Sequence, residues 1–185
     1  MAYPEDLLNL ARELVQLHPA EAHQPSLRRA ISTGYYALFH LLISDAVATC
    51  TDQRFRALLA RVFDHGPMKQ ACDKAMSEVG EFFKQRPQEG PDRTLRYHLF
   101  NVAETFSQAQ QDRFEADYNL LREWQPMHVL LSLECIADAF QSWTLIRDEP
   151  LARDFLASML PSKERKQGEK PRARARPTLT DNPEP

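Results

Sequence analysis

Glycine is scarce in this sequence, with five in 185 residues, and that scarcity disfavours a turn-rich all-β fold. Cysteine is scarce as well. Cys50, Cys72 and Cys135 are odd in number and widely spaced, with no Cys-x-x-Cys and no Cys/His pair at zinc spacing. Neither a disulfide framework nor a zinc site is expected, and no metal or other cofactor is called for. The opening stretch MAYPEDLLNLARELVQ lacks the basic segment and apolar core of a signal peptide. No apolar run approaches the length needed to cross a bilayer. These absences predict a chain of the reducing cytoplasm that makes no membrane contact.

What is present suits one domain. The hydrophobic fraction is 43%, enough for a real core, and the length is too short for two comfortable domains. The formal charge of −3 is unevenly placed. From Pro161 onward seven Lys/Arg face four Asp/Glu, a net of +3, so residues 1–160 carry −6. An acidic body does not advertise a nucleic-acid surface. The closing stretch PSKERKQGEKPRARARPTLTDNPEP is rich in proline and charge and poor in large apolar residues. It cannot bury enough surface to offset its ordering entropy, and residues 161–185 are expected to be a disordered basic tail. The expected domain is therefore 1–160.

Helical periodicity runs almost the full length of that domain. Leu7, Leu8, Ala11, Leu14 and Val15 form a first stripe. A second helix is expected from Ser26 to Ala48, and a short third one capped by Asp52 or Thr51. A fourth follows Gly66, with Pro67 in its first turn. The Pro/Gly-rich stretch RPQEGPD marks a loop. Then come a long helix from Arg93 to Leu121, another from Pro126 to Arg147, and a last piece that Pro150 breaks or kinks. The fold class is all-α: an up-and-down bundle of four to five main helices with short flanking ones.

The second helix carries the most information. Its sequence RRAISTGYYALFHLLISDAV places Arg29, Thr33, Tyr36, His40 and Ser44 on one face, joined by Ser32. Ile31, Tyr35, Leu38, Phe39, Leu41 and Leu42 surround them. A helix apolar over most of its circumference belongs at the centre of a bundle. Its polar stripe must then find partners, because each buried polar group left unpaired costs roughly 1–3 kcal/mol. Gly34, at a mid-helix cost of about 1 kcal/mol against alanine, suggests a close approach by another helix. Downstream, Gln110, Arg113 and Asp117 share a face, with Arg113 and Asp117 at the i,i+4 spacing of an ion pair. Facing Tyr36 and His40, they would form a compact polar cluster between two helices. A satisfied core network accounts for the same residues without any ligand.

Three stretches together resemble the HEPN family of small helical bundles. RRAISTGYYALFHLL is similar to the Arg-Ala-x-Ser-x-x-Tyr-Tyr-Ala-x-Phe-His signature of one branch. FDHGPMK resembles the Lys/Asp-His-small stretch that follows it there, and QQDRFEADYNL the Arg-x-x-Ala-Asp-Tyr-Asp stretch. The resemblance spans Ser26 to Ile146. It implies a frequently homodimeric bundle, found in toxins, in defence ribonucleases, and as the partner of minimal nucleotidyltransferases. Active members use an Arg, a spacer of four to six residues and a His to cut RNA without a metal. Such a His would move protons at the 2′-OH or leaving oxygen while the Arg stabilises phosphorane charge.

In this chain Arg12/His18, Arg93/His98 and Arg122/His128 fit that spacing, and Arg93/His98 enters the long helix most suitably. Arg61/His65 falls one residue short. Where the family places its active motif, the chain reads RFEADY, without histidine. An exposed carboxylate with a pKa near 4 is a poor proton donor at neutral pH. The leading expectation is thus a catalytically weak or inactive HEPN-like domain in a toxin–antitoxin or defence setting. It would bind a nucleotide, RNA or a protein partner through Arg29, Ser32, Tyr36, His40, Arg113, Asp117 and Tyr118. That partner would be an antitoxin or a nucleotidyltransferase-like protein. The alternatives are a metal-independent endoribonuclease using His98 with Arg93 or His65 with Arg61, and a ligand-free structural dimer or adaptor.

Overall fold

A computed structural model describes residues 3–17, 22–85 and 90–161. The expected tail (from 162) and His18 lie outside the described residues. Among those described there are seven α-helices and no strands: α1 (Tyr3–Gln16), α2 (Gln24–Ala48), α3 (Gln53–Ala60), α4 (His65–Gln85), α5 (Pro91–Tyr118), α6 (Pro126–Ile146) and α7 (Pro150–Ser158).

Proline sets many of the starts. α2, α5, α6 and α7 each carry one in the first two helical positions, where its missing N–H is no loss and its fixed φ is already helical. Pro150 therefore opens α7 rather than kinking α6. Asp52 caps α3 by accepting from the Arg54 backbone N–H at 3.0 Å. The boundaries differ from expectation in three places. α2 begins at Gln24, two residues early. α4 begins at His65, so Gly66 lies inside its first turn rather than before it. α5 spans Pro91–Tyr118 and stops short of Leu121.

α2 is the hub of the packing. It lies against α1, α3, α5, α6 and α7, while α4 packs on α5 and α7. A single apolar core runs from Leu8 through Tyr35, Phe106 and Trp143 to Met159. The closest approach is between α2 and α6. A Cβ built on Gly34 would stand 2.5 Å from Leu133 Cδ2 and 3.2 Å from Ile136 Cδ1, so the glycine is what lets these helices meet. Farther along α2, Asp45 accepts from Trp143 Nε1 at 2.6 Å and from Arg147 at 2.9 Å. That second tie fixes the rotation of α6 about its axis.

α6 corrects one expectation. At 21 residues, with a mean hydropathy of 1.3, it is long and apolar enough to cross a membrane by length and composition alone. In the fold its Leu133, Ile136, Ala139 and Trp143 are buried against the other helices, and Glu134 pairs with Arg12 of α1 at 3.1 Å.

Gly34→Val should overpack the α2–α6 contact. Inserting methyl groups into a filled core costs roughly 1–3 kcal/mol, and urea unfolding should show a lowered midpoint with an unchanged slope.

Candidate functional site

The polar stripe of α2 meets α5 as one connected network. Ser32 donates to Asp117 Oδ1 at 2.7 Å. Arg113 Nε lies 2.9 Å from Asp117 Oδ2, but its N–H does not point along that line, so the contact is an ion pair rather than a hydrogen bond. The same guanidinium donates to the Tyr36 hydroxyl at 3.3 Å and sits 5.8 Å from the centre of its ring. Burial works against the Arg113 charge, yet Tyr36 and Asp117 outweigh it and hold its pKa above the ordinary value. Arg113 is therefore a permanent cation whose charge is largely spent on Asp117.

His65, at the start of α4, is drawn into this network. Its Nδ1 is 2.6 Å from the Tyr35 hydroxyl. Burial pushes the Tyr35 pKa far up, so Tyr35 keeps its proton and the hydrogen bond joins a neutral phenol to the imidazole. Gln110 of α5 donates to the His65 carbonyl at 3.1 Å, while its buried Oε1 finds no protein donor. The His65 ring is 4.8 Å from Phe39 and 6.0 Å from Tyr36. His40 also neighbours Tyr36, ring centres 6.2 Å apart, and is packed edge-on against Tyr3 at 5.1 Å. The pKa of both histidines is lowered by burial, and that of His65 further by the Arg113 charge. Both are neutral at pH 7.

Of the expected cleft residues, Ser32, Tyr36, His40, Arg113 and Asp117 therefore come together. Arg29 is exposed and has no ion pair among the described residues. Tyr118 is exposed too, its ring tilted against that of Phe114 with centres 5.1 Å apart. The members of the expected catalytic pairs have the following surroundings. Arg61 terminates α3 as an exposed C-cap. Arg93 lies 4.5 Å over the Phe83 ring. His98 Nδ1 is 3.2 Å from Ser142 Oγ, which also accepts from Asn101. His98 precedes Arg113 by 15 residues on one helix, an axial separation of about 22 Å. Among the described residues, no group of three or more His, Cys, Asp or Glu could hold a metal ion.

Two participants were not expected. Tyr35 looked like a plain core aromatic, although a buried phenol always raises the question of its hydroxyl partner. Arg28 reaches across to the end of α5 and donates to the carbonyls of Ala116 (2.8 Å), Asn119 (3.0 Å), Leu120 (3.4 Å) and Arg122 (2.6 Å). It anchors the helix terminus that carries Asp117. Compared with known proteins, the chain matches no family model, no curated protein and no solved structure.

Most of the network's donors and acceptors have a protein partner, while Arg113 Nε and Gln110 Oε1 make no hydrogen bond. The arrangement ties α2, α4 and α5 together as a lock.

The histidines make that lock pH-sensitive. With folded-state pKa values below the ordinary 6.5, the unfolded chain binds protons first as pH drops, so stability falls with it. Melting temperature should decline below about pH 6.5 and level off once both rings charge in the fold. The decline should be shallower in the His40→Gln/His65→Gln variant, as differential scanning fluorimetry across pH will show.

Proposed function

We propose that this chain is a HEPN-like interaction domain, catalytically weak or inactive, that binds a protein partner beside the α2–α4–α5 lock. The observation that carries this reading is the contrast between two adjoining surfaces of α5. On one face Arg113 and Asp117 are closed off by Tyr36 and Ser32. Next to them, Phe114 and Tyr118 are 52% and 64% exposed, and Leu120 and Leu121 just beyond are 83% and 94% exposed. Contiguous exposed apolar side chains with a polar rim mark interaction sites more often than chance exposure does. Aromatic anchors are typical of the centres of such interfaces. In a toxin–antitoxin or defence setting the partner would be an antitoxin or a nucleotidyltransferase-like protein, with a second copy of the chain the remaining candidate.

A photo-activatable side chain at position 121 tests this in the native host. Irradiation should give a discrete protein adduct that is lost in the Tyr118→Ala background and absent when the probe sits at position 78 on α4. An RNA adduct, or none, overturns the reading. ATP and short RNA oligonucleotides should leave the melting temperature unchanged.

The endoribonuclease reading retains one observation in its favour: His65 shares the Tyr36 ring with Arg113. It requires purified protein to cleave a mixed RNA pool in the presence of a chelator, and His65→Gln to abolish that cleavage. On the proposal above, the pool stays intact.

A further inference from the structure

A groove of about 390 Å³ runs between α5 and α6, away from the lock, and its charged lining is wholly acidic: Glu104, Asp112 and Asp138. Asp112 is the telling residue. It is only 7% exposed, and both of its described partners, Gln108 at 3.1 Å and Arg122 at 3.6 Å, engage Oδ1. Oδ2 has no protein donor among the described residues, yet it is not one of the sealed, unpaired atoms. It remains open to the groove that Asp112 lines. Arg122 is the one cation paired with Asp112 among the described residues, and at 3.6 Å it leaves a buried carboxylate oxygen without a hydrogen bond, which is costly.

The chain carries a suitable cation. Its segment Arg172-Ala-Arg-Ala-Arg176 lies outside the described residues and belongs to the +3 end of a molecule whose body is −6. In an extended chain alternate residues face one side about 6.6–6.8 Å apart. Glu104 and Asp112 lie eight residues apart along α5, about 12 Å, close to the roughly 13 Å between the first and third of three alternate residues in an extended chain. Reach is sufficient too. α7, which delivers the chain to Pro161, shares a smaller groove with Leu99 of α5. From Leu99 to Asp112 is about 20 Å along the helix, whereas the eleven residues from Pro161 to Arg172 can span about 36 Å.

We propose that the α5–α6 groove receives the chain's own Arg172–Arg176 segment, its three guanidiniums set against Glu104, Asp112 and Asp138. Docking would cover the groove and complete the coordination of Asp112. The contact is electrostatic and partly exposed, so it should weaken as salt rises.

Cys135 reports on it directly, being an exposed thiol in the groove wall, whereas Cys50 is part-buried elsewhere. The full chain is treated with iodoacetamide, an uncharged reagent, and alkylation of each cysteine is followed by mass spectrometry. Replacing Arg172, Arg174 and Arg176 together by alanine should raise the Cys135 rate roughly three- to tenfold, as expected for a few individually weak exposed ion pairs, and leave Cys50 unchanged. High salt should do the same to the unaltered protein. Glu104→Gln, at an exposed position where folding is not at stake, should give a partial rise. A Cys135 rate indifferent to all three overturns the proposal. Protection that grows with protein concentration overturns its intrachain form. If the arginines serve RNA instead, the triple variant loses RNA affinity while Cys135 reactivity stays constant, and the proposal falls.

Discussion

The fold depends on α2 having no face it can leave in water. Fourteen of its 25 residues are buried, and a helix apolar nearly all round must be sheathed by others. Gly34 makes the sheath tight by letting α6 approach, and Asp45 then fixes α6 through Trp143 and Arg147. Once α1, α5 and α6 are laid against α2, its few polar groups have to be matched by whatever those helices bring. The Ser32–Asp117–Arg113–Tyr36 chain is that match. Its geometry is a consequence of wrapping a hydrophobic hub before it is anything else.

The electrostatics of the lock bear on what it can do. Among the described residues Arg113 is the one permanent positive charge seen against Tyr36, and Asp117 pairs with it from 2.9 Å. The two histidines nearby are neutral at physiological pH because burial disfavours their charged forms. A phosphate approaching this point would meet little net positive potential. What the region does offer is an apolar shoulder on α5, of the kind through which helical domains recognise other proteins.

Much of this was legible in the sequence. The period-3.6 patterning settled the helical class because no competing alternation exists. Proline marked four helix starts by a local mechanism. The i,i+4 pairing of Arg113 with Asp117, and the placement of Tyr36 and His40 on the opposing helix, follow from spacing alone. The rest was hidden because it is tertiary. Nothing near Tyr35 announces that its hydroxyl meets His65 thirty residues on. The groove acid Asp112 looked like any other carboxylate on a polar helix face. α6 shows the limit in the other direction: its hydropathy satisfies the criterion for a membrane span, and only its packed neighbours reveal which face is inside.

The end of α5 illustrates how far a boundary can lie from its cause. α5 has no glycine to close it. Asn119 leaves the helix in an extended conformation, and the last carbonyls turn toward the guanidinium of Arg28, 88 to 94 residues earlier. Closing so long a loop carries an entropic cost that local contacts cannot offset early. The Arg28 hydrogen bonds to these carbonyls can therefore form only once α2 and α5 are docked. Where this helix stops is decided by another helix.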